Sequence, residues 1–264
     1  MLTLLQATFF LTAIEATAPT SEAPVSALHA VQLAAVAPEA KAALEQFARQ
    51  QHWKDRIQAA EQLRNSGGDA AILVAELARS TADRELLQDC YSFLMHERFV
   101  THPATRELVL TQGLNSENSE VRYRSVWYVG QHQLTERREE LLRLMRDRNA
   151  DDTLRYTAAK SLGELGDLRS LRLLLEACRH NRFMPRHLGN IGLKAIAGKN
   201  LNDFSGYQYH EDAFVSGGRE MVFLNPDPLV AVTTEASRLT ALRDFLAWLQ
   251  SNRRDLYETL MTDF

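Results

Sequence analysis

Arg137, Arg138, Arg169 and Arg172 form two short basic runs in the middle of the 264-residue chain. The planar guanidinium fork suits carboxylate or phosphate recognition, so four on one stripe would make an anionic-ligand surface. Glu136, Glu139 and Glu140 lie among them and offer the opposing reading, in which the charges pair along a helix. A second set of contact-forming side chains, Tyr207, Tyr209, Phe214 and Phe223, falls in the stretch 199–234. His96-Glu97 and His210-Glu211-Asp212 are the candidates for metal ligation. A metal site needs several converging ligands, and neither cluster has a partner at a matching position. No metal and no cofactor is therefore expected. No phosphate-binding glycine loop, Cys-x-x-Cys pair or nucleophile elbow occurs, so no catalytic residue is assigned.

The elements that must position these groups follow from internal periodicity. From Arg155, steps of 33 residues land on Arg122, Asp89 and Arg56 in one direction and Leu188 in the other, without a gap. One residue after these anchors stand Ile57, Cys90, Tyr123, Tyr156 and Gly189, and four after them Ala60, Phe93, Val126, Ala159 and Gly192. Seven after them come Leu63, His96, Val129, Leu162 and Ala195. Those offsets share one face of an α-helix, so each unit opens with an amphipathic helix. Ala75, Leu108, Leu141 and Leu174 fall nineteen after the anchors and mark a second helix. The segments Ser66-Gly67-Gly68-Asp69, Thr101-His102-Pro103, Gln133-Leu134-Thr135 and Gly166-Asp167 supply the turns between. Such hairpins bury their apolar faces only by stacking on neighbours. In this register Cys90 and Cys178 fall in units two and four, too far apart for a disulfide.

The run Arg155-Tyr-Thr-Ala-Ala-Lys-Ser-Leu-Gly-Glu-Leu-Gly-Asp-Leu-Arg-Ser-Leu-Arg-Leu-Leu-Leu-Glu-Ala177 resembles the short bacterial HEAT-like repeat that is also named for the phycobilisome lyases. Unit one, from Asp55 to Leu63, matches fairly well; units two, three and five are degenerate. The resemblance covers about residues 53–197 and implies an all-α solenoid of the HEAT or ARM type, a right-handed superhelix of about five helical hairpins. It further implies that the second helices line a concave face able to hold a protein or peptide, and this scaffold role is the leading expectation. Two alternatives come with the family. One is a lyase- or metal-hydroxylase-like enzyme, although only one His-Glu pair falls on a first helix here. The other is binding to a nucleic-acid backbone, against which the net charge of −4 argues.

The ends depart from the repeat. Residues 1–24 read either as a signal-like segment or as a flexible tail, which leaves cytoplasmic and exported locations both open. Residues 25–52 read as capping helices with Ala42, Leu44, Phe47 and Ala48 inward, and 198–264 as an insertion with C-terminal caps. The insertion is either a cap or a binding loop; it contains a small hairpin over Ala213–Val215 and Met221–Leu224, with helices resuming near Glu235 and Arg254. No run is long enough to cross a bilayer as a helix.

Overall fold

The computed structural model describes residues 36–50, 52–204, 214–215, 222–223 and 235–262. It divides into two compact units, residues 1–73 and 74–264. The predicted N-terminal segment 1–24, and Tyr207, Tyr209, His210, Glu211 and Asp212, lie outside the described residues.

The first unit holds α1 (Pro38–Arg49), α2 (Trp53–Arg64) and the start of α3 (Gly68–Ser80). A proline opens α1, where its missing N–H costs nothing. Val36, Ala40 and Leu73 form a small core with Leu44 packed against it, and Phe47 is buried as expected. Ala42 is exposed rather than inward. The inward stripe runs through 36, 40, 44 and 47, and position 42 points away from it.

The second unit is a helical-repeat stack. Its first helices are α4 (Arg84–Leu94), α6 (Ser119–Gln131), α8 (Asp152–Glu164) and α10 (Phe183–Ala197). Its second helices are α5 (Pro103–Leu108, continued by a π-turn Val109–Gly113), α7 (Arg138–Arg146) and α9 (Leu171–Arg179). Consecutive first helices pack on one another, α4 on α6, α6 on α8 and α8 on α10. In turn α7 packs on α8, and α9 packs on both α8 and α10. Leu108, Leu141 and Leu174, the second-helix column, are all completely buried. The first-helix column holds best in the middle: Val126, Ala159 and Leu162 are sealed, whereas Ala195 at the far end is exposed. His96 leaves its column altogether, because α4 stops at Leu94 and the imidazole sits in the following turn, accepting from the Arg98 N–H at 3.3 Å. Cys90 and Cys178 are both completely buried.

Short-range chemistry starts three of these first helices. Asp83, Asn118 and Asp151 each accept two backbone N–H groups at the N-termini of α4, α6 and α8, which satisfies donors the helix cannot. Arginines near the helix starts serve the opposite need. Arg56 Nε donates to the Gln50 carbonyl just beyond α1 (3.0 Å), and Arg155 Nε donates to Met145 at the end of α7 (3.4 Å). In unit five, where Leu188 occupies the anchor, Arg186 donates to the His180 and Asn181 carbonyls (3.1 and 2.7 Å) after α9. Each cation thus covers the unpaired carbonyls of a preceding helix. The turn within a unit has its own column. Gly67, Gln133 and Gly166 have φ of 64°, 54° and 71°, the left-handed region that costs a side-chain-bearing residue about 1–2 kcal/mol. Gln133 compensates by donating its amide to the Glu164 carbonyl of the next unit at 2.9 Å.

Beyond Gly198, a left-handed cap at φ 76°, the chain turns at Leu201–Asp203. The buried Asn190 fixes this turn by accepting from the Leu201 N–H at 3.0 Å. Strands β1 (Phe214–Val215) and β2 (Val222–Phe223) pair antiparallel, Phe214 opposite Phe223. Helix α11 (Glu235–Asn252) packs on α9 as a second helix of unit five would, and α12 (Arg254–Thr262) packs on α11. Phe204 meets Phe245 edge-on at 5.7 Å, and Arg253 donates to the Ile196 carbonyl at 3.4 Å, tying this end to α10. No described helix is long and apolar enough to cross a membrane.

Candidate functional site

The most unusual chemistry lies where α6, α8 and α10 meet. Lys160, completely buried, comes from the middle of α8. Its Nζ lies 2.8 Å from Glu164 Oε2, one turn on, and 3.6 Å from the centre of the Trp127 ring of α6. Both contacts favour the ammonium. Burial still dominates: it pulls the Lys160 pKa down to about 8 against the attraction of Glu164, and pushes the Glu164 carboxyl up against the attraction of Lys160. The pair therefore sits in its pocket at a net desolvation cost.

An aromatic strip covers this pair. Trp127 lies near-parallel to His187 of α10 (6.4 Å, 18°), and His187 near-parallel to Phe183 (5.9 Å, 15°). Tyr123, one turn before Trp127, adds a tilted ring at 6.0 Å. All four rings are half-buried. Burial and then the nearby Lys160 charge hold the His187 pKa down to about 4, so the ring is neutral at pH 7. A sealed amine cannot meet a substrate, so what this site offers is contact through ring faces, on a rigid backing of three helices.

His187 makes the strip acid-sensitive. Its folded pKa lies below the ordinary 6.5, so stability is fully present above 6.5 and is lost as pH falls through about 4, because the unfolded chain takes up the proton first. The urea midpoint is expected to fall across that window. His187→Phe should flatten the fall, which parallel titrations of the two proteins at pH 7 and pH 5 would measure.

Three of the four predicted arginines have partners in the fold, and Arg138 and Arg169 converge on Asp167. Arg137, in the turn before α7, donates to the Leu110 carbonyl (3.2 Å) and pairs with Glu140. Arg138 donates to the Leu165 carbonyl at 3.2 Å and stands 3.6 Å from Asp167. Arg169 chelates Asp167 through Nε and Nη2 (2.9 and 2.7 Å), and Arg172 is exposed at the start of α9. Three of them thus fasten helix ends and turns, and each also reaches a neighbouring unit, Arg169 through Glu139 at 3.5 Å. Phe214 and Phe223 are register partners in the β1–β2 ladder. Among the described residues no three His, Cys, Asp or Glu side chains gather as metal ligands would. The ring strip escaped the sequence reading, although Trp127 and Lys160 occupy the same repeat position, 33 residues apart.

A family model described as HEAT repeats matches residues 107–187, which spans α6 to α9 and the start of α10. With that match and the stacked hairpins, residues 107–187 of the second unit are HEAT repeats. No curated relative matched the sequence.

Proposed function

We propose that this chain is a scaffold that docks a protein partner on the ring strip Tyr123–Trp127–His187–Phe183. The observation that carries the reading is the set of four half-buried rings held in one row across α6 and α10 and braced from behind by Lys160. Interface energy concentrates in Trp, Tyr and Arg side chains that are already rigid before binding. Repeat stacks give such side chains a fixed spacing, because each unit is held by its neighbours.

The test uses the two outer rings, whose removal leaves the buried pair intact. Proteins co-purifying with the full chain from its native cell should be lost from Tyr123→Ala/Phe183→Ala, with helical content by circular dichroism unchanged. Retention of every partner by the folded double variant overturns the reading.

A further inference from the structure

Most arginines of the repeat stack are matched: Arg106 with Glu136 at 2.8 Å, Arg124 with Glu120 at 2.9 Å, Arg155 with Asp152 at 3.3 Å. Arg143, Arg146, Arg148 and Arg179 are different. All four are exposed, and none makes an ion pair among the described residues. They gather at one kind of place, the end of a second helix. Arg146 closes α7 and Arg179 closes α9 at the same repeat position, 33 residues apart, on helices that both pack on α8. Several acids stand near them, Glu139 and Glu140 one turn before Arg143 and Glu235 beside Arg179 among them. Asp147 is turned to its own backbone, accepting from the Asn149 N–H at 2.9 Å, and Glu176 faces the Tyr156 hydroxyl at 3.5 Å.

The negative end of a helix dipole attracts cations to its last turn, which accounts for Arg146 and Arg179. It does not account for Arg148, which lies beyond the helix in the loop. A second feature opens beside the same edge. A cleft of about 320 Å3 between α9 and α11 is lined by Tyr156, Arg179, His180 and Arg238, together with Glu176 and Glu235. Tyr156 meets the His180 ring edge-on at 6.2 Å. The edge is also continuous in topology with the ring strip: second helices end where the next first helices begin, and Phe183 lies just past Arg179 and Arg182 in the α9–α10 connection.

From this placement we infer that the partner is an acidic protein segment, which runs along Arg143, Arg146, Arg148 and Arg179 and sets a side chain into the Tyr156–Arg238 cleft. This rests on the scaffold reading and names the chemistry of its partner. Carboxylates match the unpaired guanidinium forks, and complementary charge of this kind speeds and selects encounter.

The test measures fluorescence anisotropy of a labelled poly-glutamate peptide with the full chain. Wild-type binding should weaken as salt rises. It should weaken by roughly tenfold in Arg146→Glu/Arg179→Glu, while Arg254→Glu on α12 binds as wild type. Equal affinity of the double variant and the wild type overturns the inference. So does a DNA duplex that displaces the peptide at lower concentration, since the edge would then read a phosphate backbone. In the co-purification described above, a partner lost from Tyr123→Ala/Phe183→Ala but kept by Arg146→Glu/Arg179→Glu overturns this inference alone. Retention by both variants overturns the scaffold reading as well.

Discussion

Lys160→Met should destabilise the fold by about 3–5 kcal/mol, the range for breaking a buried pair by removing one partner. The size follows from what is left behind. Glu164 stays half-buried beside Gly130, and the cation that faced it at 2.8 Å is gone. Its carboxyl, already pushed up by burial, must then take a proton or drag in water. Trp127 also loses the cation under its ring. Lys160→Met/Glu164→Leu should recover most of the loss, because a matched apolar pair carries no desolvation penalty. Urea melts of both single variants and the double variant form a mutant cycle, and its coupling energy is the quantity of interest. Single variants whose losses simply add would show that the two side chains do not act as a pair.

Alkaline pH probes the same pair from the other side. Depression of the Lys160 pKa from 10.5 to about 8 means that its cost of burial is fully felt at neutral pH. Taken alone it would be relieved as pH rises from about 8 toward 10.5, where the unfolded chain still holds the proton. Loss of that proton also strips Glu164 of its counter-charge, so the two effects oppose each other. Trp127 emission should nevertheless change near pH 8 in the wild type and stay level in Lys160→Met, since the ammonium lies against that ring.

The repeat was legible because it is written in side-chain size at fixed spacing. A residue that must be sealed against a neighbour in every unit leaves a column such as Leu108, Leu141 and Leu174. The arginine beginning the first helices was legible as a pattern, but its work was not. Arg56, Arg155 and Arg186 cap carbonyls of preceding segments, and a carbonyl leaves no mark in sequence. The partners of the predicted basic stripe were hidden for a related reason. Arg137 and Arg138 reach backbone atoms 27 residues away, and a charge count across the stripe registers only Glu136, Glu139 and Glu140. Lys160 was hidden by its type, because lysine in a helix reads as a solvated side chain until Trp127 and Glu164 are seen to enclose it.

Gly130→Val should cost roughly 3 kcal/mol or more by overpacking, and Gly166→Ala only about 1–2 kcal/mol. Both residues are glycine, yet for different physical reasons. A Cβ on Gly130 would stand 2.7 Å from the Ser161 Cα of the neighbouring first helix and 2.3 Å from Glu164 Oε2. The contact is backbone against α8, so α6 would have to move away. That movement would stretch the Ser161 Oγ bond to the Val126 carbonyl, 2.8 Å across the same seam. Gly166 has open space around its missing Cβ and is held only by its φ of 71°. Gly163 against Gly192, with a Cβ-to-carbonyl distance of 3.0 Å, repeats the close approach between α8 and α10. Small residues there set how near successive units stack, and with it the spacing of Trp127, Lys160 and His187. Gly130→Val should therefore alter Trp127 emission along with stability, whereas Gly166→Ala should lower stability and leave the emission unchanged. Equal losses in the two variants, with the same emission spectrum, would mean that the α6–α8 distance is set by something other than this seam.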